Sequence, residues 1–85
     1  MKIAYTPKFV RLYKKLPPAL QEEVDYKIGL FQKDPTISSL KVHKLHGKLG
    51  GRYSFSVNYS YRIVFTYLSK EEVIFHVIGD HGIYT

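Results

Sequence analysis

The sequence predicts an α+β domain: a short N-terminal strand, a helical hairpin, and then a three-stranded antiparallel meander, with the helices on one face of the sheet. Three observations carry the prediction. Three runs rich in Val, Ile, Phe, Tyr and Thr follow one another, Gly51–Val57, Tyr61–Tyr67 and Val73–Ile78. The connectors Asn58–Ser60 and Ser69–Glu71 are too short for a helical crossover, so the runs pair as hairpins. Upstream, two apolar stripes at helical spacing are divided by Pro17-Pro18.

Lys2-Ile3-Ala4-Tyr5 alternates polar and apolar and reads as a strand. Thr6-Pro7 is a helix start, with Thr at the N-cap and Pro in the first turn. Phe9, Leu12, Tyr13 and Leu16 form the buried stripe of this helix, and Lys8, Arg11, Lys14 and Lys15 occupy its other faces. Pro17-Pro18 ends it and opens a second helix, whose stripe is Leu20, Val24, Ile28 and Phe31. Asp34-Pro35 stops that one. Residues 36–51 read as a basic connecting segment anchored by Leu40, Val42 and Leu45 and ending in glycines that allow unusual dihedrals. In the meander, Tyr53, Phe55 and Val57 point one way and Ser54 and Ser56 the other. Ile63, Phe65 and Tyr67 share a face, and Arg62, Val64 and Thr66 share the opposite one. That second face is expected to be open. A polar tail follows, Gly79-Asp80-His81-Gly82-Ile83-Tyr84-Thr85.

Residues 1–85 provide one small domain and one core. The 45% hydrophobic content excludes a disordered chain. There is no cysteine, which removes disulfides, thiol nucleophiles and Cys-ligated zinc. No apolar run approaches the roughly 20 residues of a membrane helix. Met1–Tyr5 has no long apolar segment of the signal-peptide kind, so a cytoplasmic protein without a membrane partner is expected.

The net charge is +6, and its distribution says more than its total. All seven acids lie in Glu22–Asp34 and Glu71–Asp80. Residues 35–70 hold none, yet contain Lys41, Lys44, Lys48, Arg52 and Arg62. The first 21 residues are also acid-free. Such separation favours a polyanionic partner, either nucleic acid or an acidic protein segment.

Several side chains could act on a phosphodiester. Arg62 is a cation within an apolar strand. It suits the binding of phosphate oxygens, or else a structural bond to a backbone carbonyl or to Asp80. His81 is an acid–base group or a turn histidine. Tyr84 orients phosphate, donates a proton, stacks on a base or simply packs. His43 and His46, three apart, are an acid–base group, RNA contacts or a metal pair. They make a poor metal site because no carboxylate lies near them, and no metal or other cofactor is expected. His76, among apolar neighbours, reads as a structural histidine. Lys41, Lys44, Lys48 and Arg52 read as a phosphate-tracking strip.

The order of these pieces resembles the RelE/ParE toxin superfamily over nearly the whole chain. The resemblance rests on Leu45-His46-Gly47 before Gly51-Arg52-Tyr53, on Tyr61-Arg62-Ile63-Val64-Phe65, and on the terminal Gly79-Asp80-His81-Gly82-Ile83-Tyr84. It implies the toxin of a type II toxin–antitoxin pair, neutralised by a small antitoxin. RelE-like members are metal-free nucleases that cut mRNA in the ribosomal A site. ParE-like members share the fold and poison DNA gyrase, and a catalytically degenerate fold-mate is a third outcome. Arg62 matches the arginine that contacts the scissile phosphate. His81 and Tyr84 match the C-terminal acid–base positions of YoeB and YafQ types, and His43 matches a catalytic histidine of YafQ-like members. Three departures make the implied set a hybrid. Ser56 stands where YafQ-like members have a histidine, Ser60 where they have an acid, and no second arginine follows Arg62 as in RelE.

Overall fold

The computed structural model describes residues 1–47 and 51–80. The elements are β1 (Lys2–Tyr5), α1 (Pro7–Lys14), α2 (Pro18–Lys33), a 3-10 turn (Ser38–Leu40), β2 (His43–Lys44), β3 (Tyr53–Ser56), β4 (Arg62–Ser69) and β5 (Glu72–Gly79). The sheet order is β1-β5-β4-β3-β2. β1 lies parallel to β5, and the other pairs are antiparallel.

The predicted α+β class holds, with one addition. The segment read as a connector contributes β2, so the sheet has five strands. His43 pairs with Ser54 and Lys44 with Tyr53, and Leu45 N donates to Arg52 O at 2.8 Å. A two-residue strand carries too little alternation to be read locally. Gly47 and Gly51, with φ of 73° and 85°, turn the chain between β2 and β3.

The helices are placed as the caps and prolines demand. The Thr6 hydroxyl accepts from Phe9 N at 3.0 Å and donates to His76 O at 2.8 Å. One side chain therefore caps α1 and fastens it to β5. The α1 end is bound by α2, because Gln21 Nε2 donates to Tyr13 O at 2.9 Å. Beyond α2, Asp34 Oδ1 accepts from Thr36 N and Thr36 Oγ1, and both bonds hold the Asp34 carboxyl below its ordinary value.

The core lies between the helices and one face of the sheet. It contains Phe9 of α1, Val24 and Phe31 of α2, Leu40, and Phe55, Val57, Ile63, Phe65, Val73, Phe75 and Ile78. Phe31 is its centre, with ring centroids 4.7 Å from Phe55, 5.0 Å from Phe65 and 5.7 Å from Phe75. Phe31→Ala removes a fully buried ring that the neighbouring rings cannot replace. We expect a loss of about 3–5 kcal/mol in urea unfolding, a large share of the roughly 5–15 kcal/mol typical of a whole domain. A loss below about 1 kcal/mol would contradict this packing.

β5 changes phase once. Val64 pairs with Val77 and Phe65 with Phe75, so His76 is the extra residue of a β-bulge. The bulge lets Val73, Phe75 and, beyond it, Ile78 all reach the core.

Candidate functional site

Cross-strand pairing defines the face away from the helices, called here the outer face. His43, Ser54, Val64 and Val77 form one row across β2, β3, β4 and β5. Ser56, Arg62 and Gly79 form the next. This face was expected to be open, and it is not bare. Ser54 and Val64 at its centre are buried. Around them Ser56, Arg62, Thr66, Ile74, His76 and Val77 are half-buried, and His43 at the edge is exposed.

Arg62 is the first residue of β4, beside the loop that joins it to β3. Its Nη1 donates to Asn58 O at 2.8 Å, Tyr61 O at 3.2 Å and Tyr59 O at 3.4 Å. The structural role considered for this arginine is therefore present. Among the described residues it uses only one nitrogen. Nε and Nη2, the side-on edge of the fork, have no partner among the described residues. That edge matches the spacing of two oxygens on a phosphate.

His43 is held in one tautomer. Its Nδ1 lies 3.0 Å from Lys41 O, and a carbonyl only accepts, so Nδ1 carries the proton. Nε2 of the neutral ring is then an acceptor, and Ser54 Oγ approaches it at 3.4 Å. The carbonyl is aimed by the backbone. Lys41 ends the 3-10 turn in the left-handed region, at φ 51° and ψ 46°. For a lysine this conformation costs about 1–2 kcal/mol. Strain of this kind gathers where a group must be aimed.

The expected lysine strip is divided. Lys44 pairs with Tyr53, on the side of the sheet that the helices cover. Arg52, two residues before Ser54, belongs to the outer face. Neighbouring strand residues point in opposite directions, which a strip read along the sequence ignores. Lys41 and His46 are exposed in the segments flanking β2. Lys48, His81 and Tyr84 lie outside the described residues. The site that the structure brings together is thus His43, Ser54, Arg52 and Arg62 on one face.

Sequence reasoning missed the contact between Ser54 and His43. The period-2 pattern had placed Ser54 on this face, but nothing local signalled that residue 43 pairs with it.

His76 is also on the outer face. Its Nε2 and Thr66 Oγ1 are hydrogen-bonded at 2.9 Å. Burial, and then the nearby charge of Arg52, push its imidazole below the ordinary value. The unfolded chain takes up this proton near about pH 6.5, and the folded chain only at lower pH. The stabilising contribution is thus complete above that pH and is lost as pH falls through the folded-state value. The urea midpoint of the wild type should fall between about pH 7.5 and about pH 5.5, and that of His76→Gln should fall less. Equal falls would exclude His76 as a source of the pH dependence.

Among the described residues no three His, Asp or Glu side chains converge as metal ligands would. No described helix is long and apolar enough to cross a membrane.

No family model matches the sequence, and no curated protein matches it. Solved structures do. YafQ from E. coli strain BL21(DE3) superposes with a TM-score of 0.79 at 17% identity, over 98% of this chain and 96% of that one. A YoeB/ParE toxin from Agrobacterium tumefaciens superposes at 0.78 and 18% identity, over 95% and 99%. The toxin–antitoxin complex RelBE2 from Mycobacterium tuberculosis gives 0.75 at 20% identity, over 94% and 96%. The chain has the fold of the RelE/YoeB/YafQ-type toxins.

Proposed function

We propose that this chain is the toxin of a type II toxin–antitoxin pair, acting in the cytoplasm as a metal-free endoribonuclease on mRNA in the ribosomal A site. The observation that carries this reading is the outer face itself. On a fold shared with YafQ and YoeB/ParE toxins, a histidine of set tautomer shares one face with an arginine edge that has no partner among the described residues.

The chemistry follows from those groups. His43 Nε2 accepts the proton of an RNA 2′-OH. The 2′ oxygen attacks the adjacent phosphorus, and the bond from phosphorus to the 5′ oxygen breaks. The products are a 2′,3′-cyclic phosphate and a 5′-OH end. The Arg62 edge holds the phosphate oxygens as negative charge gathers on them. The departing 5′ oxygen needs a proton, and we assign its delivery to His81, with Tyr84 orienting the phosphate. Arg52 contacts the RNA backbone from this face, we assign further backbone contacts to Lys41, His46 and Lys48, and Lys44, on the helix-covered side of the sheet, is left out of them. The acid-free stretch 35–70 suits an acidic antitoxin, which folds over the toxin on binding.

The test is brief induction of the chain in cells, followed by mapping of mRNA 5′ ends by primer extension. New ends inside translated frames, absent with Arg62→Ala and with His43→Gln, are the expected result. Growth arrest with intact mRNA would reject the nuclease reading and direct attention to DNA gyrase.

A further inference from the structure

We propose that Tyr59 is a base-stacking contact for RNA, clamping a nucleobase beside the phosphate held by Arg62. The proposal rests on the RNA reading above and adds a specific contact to it. Tyr59 is 92% exposed at the tip of the loop between β3 and β4. A single exposed aromatic is ordinary. What distinguishes this one is how it is mounted.

The loop is closed by Val57 N donating to Tyr61 O at 2.9 Å. Asn58 Oδ1 accepts from Ser60 N at 2.9 Å and from Tyr61 N at 2.8 Å. Asn58 Nδ2 reaches Glu23 of α2 at 3.4 Å. Arg62 Nη1 fills the carbonyls of Asn58, Tyr59 and Tyr61 from the other side. Such bonding is costly to build for a surface turn with no role. It fixes the backbone that carries the ring, and a tyrosine has few side-chain torsions left to freeze on binding.

The same bonds tie the ring to the phosphate site. The Tyr59 carbonyl is a hydrogen-bond partner of Arg62, so cation and ring share one short rigid segment. A phosphate on the Nε–Nη2 edge would lie beside the segment that carries Tyr59, and the proposed contact has a base flanking that phosphate stack on the exposed ring. Every base offers a π-face, so this contact adds affinity without selecting sequence.

The test uses ribosomes programmed with an mRNA whose cut site carries a 2′-O-methyl group, so that it binds without being cleaved. Tyr59→Ala should bind about tenfold more weakly than wild type. Tyr59→Phe keeps the ring and should restore binding. An abasic nucleotide beside the cut site should weaken the wild type by the same factor and add nothing to Tyr59→Ala. Salt dependence should be the same for all three proteins, because no charge is removed. Wild-type binding that neither Tyr59→Ala nor the abasic site changes would overturn the stacking contact alone. Failure of the wild type to bind these ribosomes would overturn the RNA reading, and the contact with it.

Discussion

His43→Gln should slow cleavage of ribosome-bound mRNA by about 10²–10⁴-fold, the usual worth of a positioned general base. That range corresponds to about 2.7–5.5 kcal/mol of barrier. Glutamine keeps a polar side chain of similar reach but cannot take a proton at neutral pH. The large effect is expected because the imidazole is aimed before substrate arrives. Lys41 O fixes the proton on Nδ1 at 3.0 Å, leaving the Nε2 lone pair on the outer face. His43 is exposed, so its loss should leave the urea midpoint nearly unchanged. A variant that cuts within about fivefold of wild type would remove His43 from the reaction. Unchanged folding with lost cleavage would separate a chemical role from a structural one.

How much of this was legible in the sequence depends on the range of the interactions involved. Thr6-Pro7, Pro17-Pro18 and the stripes through Phe9 and Phe31 act within a few residues, and both helices follow from them. The faces of β3 and β4 follow from period-2 alternation, and the parity assigned to Ser54, Phe55, Arg62 and Phe65 is the one found. β2 was not legible, because two residues become a strand only when β3 is already there to pair with. The bulge at His76 is likewise a property of two strands: His76 keeps the outer face opposite Phe75, while beyond it Val77 joins that face and Ile78 returns to the core.

The candidate site shows the same division. Arg62 and His43 were singled out from residue type, spacing and resemblance. Their partners came only with tertiary structure. The Lys41 carbonyl reaches His43 through a left-handed turn that lysine gives no reason to expect. The strip of lysines was misjudged because Lys44 and Arg52 are on opposite sides of a sheet edge invisible in one dimension. Arg62 was read as a cation within a strand, whereas it is the residue where β4 begins. Its rarity is therefore explained partly by the loop it closes.

The loop bonds and the proposed phosphate contact make Arg62 the place where structure and chemistry must be pulled apart, and Arg62→Lys does so. Arg62→Ala is expected to slow cleavage by about 10²–10³-fold, as for loss of one preorganised donor to a developing oxyanion. It also strips Nη1 from three loop carbonyls. Those carbonyls lie near solvent, and Asn58 Oδ1 still holds the turn, so the cost in stability is about 1 kcal/mol. That lowers the melting temperature by about 4–8 °C for a chain of this size. The alanine result alone therefore mixes two causes. A lysine amine can satisfy a loop carbonyl but cannot then present a second pair of donors to a phosphate. Arg62→Lys should keep most of the melting temperature and lose nearly as much activity as alanine. Cleavage by the lysine variant at the wild-type rate would mean that Arg62 serves the loop alone. The phosphate would then have to be held by Arg52 or by a cation beyond the outer face, and the charge that stabilises the transition state would have to be sought there.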